Sequence, residues 1–152
     1  MRKFVLYGSG GHARVVTDLI TQLGGKVMAF FDNDHPYDAA CFPEAEMIIA
    51  IGNSEARQRI AGEVRHRLAA LIHPRAYVAA DVELGEGTVV LANATVQAAT
   101  KLGKHVIINA NVTVDHDTVV GDFVTTYPGV YIAGEAVVAD GSRIGANQIV
   151  HR

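Results

Sequence analysis

Residues 90–120 read VLANATVQAATKLGKHVIINANVTVDHDTVV, and one kind of residue returns there at every sixth place: Val90, Val96, Leu102, Ile108, Val114 and Val120. Extending the step collects Ile72, Val78 and Leu84 before this stretch and Thr126, Ile132, Val138, Ile144 and Val150 after it, so only Thr126 is not Ile, Leu or Val. The place four residues on is small or β-branched as well, from Ala76 and Val82 to Ser142, and the rule fails at Gln148. A period of six fits neither a helix at 3.6 residues per turn nor a lone strand at 2, so it demands a repeat architecture. The spacing predicts a parallel β-helix in which each hexapeptide is one short strand and a corner, with three faces to a coil. A run of β-hairpins would need turn pairs such as Asn-Gly recurring at hairpin spacing; the chain has no Asn-Gly and no such recurrence.

The other 70 or so residues have a different grammar. Lys3 to Tyr7 is a short apolar run that stops at Gly8-Ser9-Gly10-Gly11, and Ala13 to Leu23 then carries Val15, Val16, Leu19, Ile20 and Leu23 at helical spacing. Val27 to Phe31 reads as a second strand ending at Asp32, Met47 to Ile51 as a third, and Ser54 to Arg67 as a helix capped by Asn53 or Ser54. His73-Pro74 marks the change of grammar, because the residue before proline is pushed out of helical geometry. The expected organisation is an α/β, Rossmann-like βαβ domain over 1–71 and a β-helix over 72–152.

Composition narrows the functions. The chain has 152 residues, 49% of them hydrophobic, a formal net charge of −3 and no run of Lys or Arg. That argues against nucleic acid or an anionic membrane as partner. No apolar stretch reaches the 18 or more residues of a spanning helix, and Met1-Arg2-Lys3-Phe4 leads into a strand, so a cytoplasmic protein is expected. Cys41 is the only cysteine, which rules out a disulfide framework and a thiolate cluster. His12 and His116 lack metal-ligand spacing, and no metal is expected.

Two places carry chemistry. Gly8, Gly10 and Ala13 fit G-x-G-x-x-G/A, and Asp32 follows about twenty residues later, where a dinucleotide site puts an acid on a ribose hydroxyl. Gly10 to His12 at a helix start could cradle a diphosphate. The readings are a nucleotide-sugar site, a dinucleotide site or a plain tight turn; the unit is too small for both halves of a full dinucleotide fold. The second place is Asp115-His116-Asp117, either a solvated corner or a general base whose ring one carboxylate orients. An eighteen-residue coil stacks His116 under Gly134, about 5 Å away, which sets a base beside an unshielded backbone N–H. His35, His66, His73, His105 and His151 have no such company and read as surface or corner residues.

Leu84-Gly85, Leu102-Gly103, Val120-Gly121 and Ile144-Gly145 resemble the hexapeptide-repeat acyltransferases, whose β-helix is left-handed. The run Gly8-Ser9-Gly10-Gly11-His12-Ala13, then Phe30-Phe31-Asp32-Asn33, then Ile49-Ala50-Ile51-Gly52-Asn53 with Arg57, then Val114-Asp115-His116-Asp117, is similar to the bacterial sugar acetyltransferases of the PglD/NeuD type. The resemblance covers nearly the whole chain. It implies transfer of acetyl from acetyl-CoA to a UDP-type amino-sugar in surface-glycan synthesis by a homotrimer, with acetyl-CoA held between β-helices. It implies His116 as base, Asp117 as its partner, Gly134 N–H on the thioester oxygen and Asn109 close by. Gly8, Ser9, Gly10, Gly11 and His12 would then lie on the substrate, with Asp32 and Asn33 near the nucleoside. Gly134 and Thr125 would line the cofactor, although Thr125 stands where relatives often carry a second histidine. The chain reaches Arg152 after about four and a half coils, fewer than relatives usually have, so a shortened CoA groove is expected. O-acetylation of a sialic acid and a catalytically weak nucleotide-sugar-binding protein stay open as alternatives.

Overall fold

In the computed structural model, which describes residues 1–152, the six-residue spacing becomes a ladder of two-residue strands from β4 (Leu71–Ile72) to β17 (Ile149–Val150). Each ends on a member of the aliphatic column. The first face is built from β4, β7 (Val89–Val90), β10 (Ile107–Ile108), β13 (Thr125–Thr126) and β16 (Arg143–Ile144). The second holds β5 (Tyr77–Val78), β8 (Thr95–Val96), β11 (Thr113–Val114), β14 (Tyr131–Ile132) and β17, and the third β6 (Glu83–Leu84), β9 (Lys101–Leu102), β12 (Val119–Val120) and β15 (Val137–Val138). All pairings are parallel and join residues one coil apart, as Thr113 to Tyr131 and Val119 to Val137. The result is a left-handed parallel β-helix.

The interior is the column itself, a cluster of 15 buried apolar residues running from Val90 to Ile144. Thr126, the exception in the column, is buried without cost because its hydroxyl donates to Ile107 O and accepts from Asn109 N–H. The corners follow a rule that hydrophobic spacing does not reveal. From Gly87 through Asn93, Ala99 and onward to Asn147, every sixth residue has a positive φ. A side chain there costs roughly 1–2 kcal/mol. Each such residue recovers part of that through a bond to the coil below: His105 N–H to Glu86 O at 2.8 Å, Asp117 N–H to Ala98 O at 3.0 Å, Glu135 N–H to His116 O at 2.9 Å.

The N-terminal unit consists of β1 (Lys3–Tyr7), α1 (Gly11–Gln22), β2 (Lys26–Phe31), β3 (Glu46–Ile49) and α2 (Ser54–Ala61). Its sheet is parallel, with strand order β2-β1-β3. The second helix ends six residues before the expected Arg67. Met47 needs the later residues for its own backbone, donating to Arg67 O and accepting from Ala69 N–H, so the chain extends beside β3. Asn53 is the cap, its side chain accepting from Ala56 N–H at 2.8 Å.

The unit sits on the first face of the β-helix. Ala13, Val16, Leu19 and Ile20 of α1 and Phe4 and Leu6 of β1 share one buried cluster with Leu71, Val89, Leu91 and Ile107. Arg57 closes the joint. It is 1% exposed, and its guanidinium donates to the carbonyls of Ile51, Gly52, His105 and Phe123 and to Thr125 Oγ1. Burial lowers this arginine to about 10, which leaves it charged. Two histidines expected at the surface are instead interior. His66 is buried and bonded to Tyr37 Oη and Cys41 O, and His73 is buried beside the Arg75 N–H. His105 does occupy a corner, but the N-terminal unit covers it. No helix is long and apolar enough to cross a membrane.

Candidate active site

Three corners follow one another along each coil, and Asp115 to Thr118 forms the one between the second and third faces. Asp117 holds φ at 56°, a conformation that Asp tolerates better than most side chains. His116 turns outward and is tied down on both sides of its ring. Nδ1 lies 2.8 Å from Asp117 Oδ2. A methyl group built on Gly134 would meet His116 Nε2 at 2.8 Å, so the ring rests against that glycine on the next coil. The Gly134 N–H has no acceptor within the chain. In the tautomer that carries its proton on Nδ1, the ring N–H donates a hydrogen bond to Asp117 and the lone pair of Nε2 lies next to an unused backbone donor.

The electrostatics suit a base. The Asp117 hydrogen bond raises the proton affinity of His116 above its ordinary value, some desolvation opposes it, and the charges of Asp115, Asp117 and Glu135 add to it. Asp115 has other work: Oδ1 accepts from the His116 N–H at 2.8 Å and Oδ2 accepts from Tyr131 Oη at 3.0 Å. Both bonds lower its proton affinity, the first most.

The glycine loop lies between β1 and α1. Gly8 has φ +120°, and a Cβ there would come within 2.6 Å of Ala50 O, so the fold itself requires this glycine. Gly10 and Gly11 are different. A Cβ on either would meet nothing within 4 Å. Gly10 caps α1 with no side-chain bond, and the first turn carries no acid, so the helix start offers uncompensated N–H groups to open space. Asp32 is held at about 2 by hydrogen bonds from Ser9, then His35, with the loop N–H groups of His35 and Asp34 helping. Asn33 is exposed beside it. Burial, aided by the charge of Arg57, pushes His12 down to about 4, and its Nε2 is buried with no partner. A cleft of about 360 Å³ opens here between Ser9, Arg14, Thr17 and Phe30. Arg14 and Thr17 escaped the motif reading; their signal was spacing, the two lying three apart on the polar side of α1.

The other candidates fall elsewhere. Asn109 sits at the corner between the first and second faces, where its side chain accepts from Ala110 N–H, and one chain does not bring it to His116. Thr125 is 3% exposed and gives its hydroxyl to the joint, bonded to Ser54 Oγ and Arg57. The largest separation is between the two halves of the chemistry. The glycine loop belongs to the unit covering the first face, and His116 projects from the corner opposite that face. No group of three or more His, Cys, Asp or Glu side chains is placed to hold a metal ion.

Known proteins share this fold. Residues 3–64 match the PglD N-terminal domain family. The UDP-N-acetylbacillosamine N-acetyltransferase of Bacillus subtilis is 29% identical across 60% of this chain and 52% of its own length, so the chain spans about half of that relative. The acetyltransferase domain of PglB from Neisseria gonorrhoeae superposes with a TM-score of 0.88 at 34% identity, covering 98% of this chain and 82% of that one. Perosamine N-acetyltransferase from Caulobacter crescentus was solved with one histidine replaced by asparagine, in complex with CoA and GDP-perosamine. It gives a TM-score of 0.81 at 30% identity over 97% of this chain and 85% of that one. With the glycine-loop unit, the hexapeptide coils and the Asp-His-Asp corner all in one order and one fold, the chain belongs to the PglD/NeuD-type sugar acetyltransferases.

Proposed function

We propose that this protein moves an acetyl group from acetyl-CoA to the amine of a nucleotide-linked amino-sugar, in the cytoplasm, for bacterial surface-glycan synthesis. The observation that carries the reading is the outward Nε2 of His116, with Nδ1 committed to Asp117 and the free Gly134 N–H alongside. An amine attacks a thioester carbonyl only when its lone pair is free, so a proton must leave the nitrogen before or during attack. Nε2 takes it. The negative charge that develops on the carbonyl oxygen meets the Gly134 N–H, the imidazolium returns the proton to the departing CoA sulfur, and Asp117 stabilises the cation meanwhile. The relatives support this substrate class, since one is named for acetylating UDP-N-acetylbacillosamine and another binds CoA with GDP-perosamine.

In this reading residues 1–71 and 72–152 act as two domains, for nucleotide-sugar and for acetyl-CoA. The diphosphate lies on Gly10, Gly11 and His12, and the nucleoside runs toward Asp32 and Asn33. The protein works as a homotrimer, because the loop and His116 lie on opposite sides of one prism and a neighbouring copy is needed to complete the site. The same neighbour would supply Asn109. The reading is tested by mixing the protein with acetyl-CoA and either UDP-N-acetylbacillosamine or GDP-perosamine and titrating the free thiol of CoA. Thiol release should depend on the sugar and disappear in His116→Ala. Silence with both sugars, or full turnover without His116, would sink it.

A further inference from the structure

Asp115 is the carboxylate that the mechanism leaves without a task, yet it is the better tethered of the two that flank His116. Its tether comes from another coil. Tyr131 pairs in register with Thr113, two residues before Asp115, and its side chain runs along the second face to the corner, where the hydroxyl donates to Asp115 Oδ2 at 3.0 Å. Oδ1 meanwhile accepts the His116 N–H. The main chain of Asp115 is fixed as well: its N–H donates to Ile132 O, and its carbonyl accepts the hydroxyls of Thr100 and Thr118. Asp117 has no such tether, its carboxylate oxygen making one side-chain contact, to His116 Nδ1.

We propose that Tyr131 is a positioning residue, whose hydroxyl holds the Asp115 carboxylate on the His116 backbone so that Asp117 alone accepts the hydrogen bond of the ring Nδ1–H and Nε2 stays free at Gly134. The inference rests on His116 being the base. Two carboxylates one residue either side of a histidine compete for its ring, and the winner sets which nitrogen carries the proton. A carboxylate bonded through both oxygens is out of that competition. The charged and titratable groups around the imidazole are Asp115 and Asp117 in its own corner and Glu135 and Tyr131 on the coil above; the coil below presents Ala98 and Ala99. Glu135 is paired with Arg152 at 2.8 Å. Tyr131 is therefore the neutral donor that keeps one of three nearby acids turned aside.

Tyr131→Phe removes the hydroxyl and keeps the ring. The Asp115 carboxylate, freed from one bond, turns toward the imidazole, and the proton affinity of His116 rises. Asp115→Asn removes the charge and lowers that affinity. The two variants thus move the same group in opposite directions, which a merely structural role for Tyr131 does not do. The measurement is an NMR titration of the histidine ring signals in the full chain without substrate, with His116 assigned by its loss in His116→Ala. In the wild type the ring ¹⁵N shifts should report the proton on Nδ1. Tyr131→Phe should shift the titration midpoint upward and mix the tautomers, Asp115→Asn should shift it downward, and the double variant should behave like Asp115→Asn. With acetyl-CoA and a competent sugar, Tyr131→Phe should lower kcat about threefold to tenfold with little change in KM for acetyl-CoA. The pH at which rate rises should move upward with the midpoint. An unchanged midpoint and tautomer in Tyr131→Phe overturns the inference even if His116→Ala is inactive. A fully active His116→Ala overturns the base assignment beneath it.

Discussion

His105 and His116 stand on one β-helix, eleven residues apart in a repeat of six, and their surroundings make them opposites. His105 occupies a left-handed corner position under the N-terminal unit, 3% exposed, its ring stacked on Phe123 with centroids 5.1 Å apart and planes 3° from parallel. Arg57 donates to its carbonyl, its Nδ1 has no partner, and burial lowers its proton affinity. His116 stands at an uncovered corner with Asp117 at its ring, and its proton affinity is raised. The repeat decides where a side chain stands, and what lies outside the corner decides its chemistry. The sharpest way to break the comparison is to delete the exposed member. His116→Ala should lower kcat by about 10²- to 10⁴-fold, with the KM for acetyl-CoA moving only a few-fold, whereas His105→Ala should cost stability and little rate.

The next largest effect lies on the buried side. Arg57→Met keeps the length of the side chain but leaves the carbonyls of His105, Phe123 and Ile51 without their donor. A buried hydrogen bond to a charged group contributes about 1.5–3 kcal/mol, and some carbonyls will find water, so denaturant unfolding should show a loss on the order of 3 kcal/mol. An unchanged midpoint would mean that the apolar seam alone holds the two units together. On the exposed side, Asp117→Asn tolerates the same left-handed corner but loses the charge that favours the imidazolium. It should reduce kcat by roughly tenfold, less than His116→Ala does. A loss equal to that of His116→Ala would recast Asp117 as more than a partner.

Much of this was legible in the sequence because a β-helix writes its interior into the chain. The six-spaced column from Ile72 to Val150 gives the strands almost residue by residue, and adding eighteen to His116 finds Gly134. The glycine loop was readable too, though not the division of labour within it: Gly8 serves the fold, and Gly10 and Gly11 leave open space. What escaped depends on contacts between units. Nothing local says that Thr125, on an outward position of its strand, is covered by Ser54 and Arg57, or that His66 is enclosed by Tyr37 and Cys41, since their partners lie 71, 29 and 25 residues away for the pairs to Ser54, Tyr37 and Cys41. The left-handed corners had a faint signal in the Gly, Asn and Asp at positions such as 87, 93, 111, 117 and 141, masked by Ala99, His105, Phe123 and Glu135 at the same place. Tyr131 had none, because its reach to Asp115 needs the register of two coils.

The smallest effect tests the contrast between buried and exposed histidines through pH. Burial first, then the charge of Arg57, lowers His12 from 6.5 to about 4. The unfolded chain therefore takes up a proton at His12 near pH 6.5 that the folded chain refuses until about pH 4. The stability tied to a neutral His12 is present above about 6.5 and is lost as pH falls toward about 4. His105 shifts the same way through its burial. His116 has the opposite sign: its raised value contributes stability that is present below the unfolded value of about 6.5 and is lost as pH rises through the folded one. Melting curves at pH 7 and pH 5 separate the two. The wild-type melting temperature should fall between these values. His12→Gln removes a group that resists protonation, so its fall should be smaller by a few degrees, the size that about 1 kcal/mol produces in a chain of this length. His116→Gln removes a group that welcomes the proton, so its fall should be slightly larger than the wild type's. If His12→Gln and the wild type lose the same number of degrees, His12 titrates alike in the folded and unfolded chain, and its burial against Arg57 has no consequence for stability.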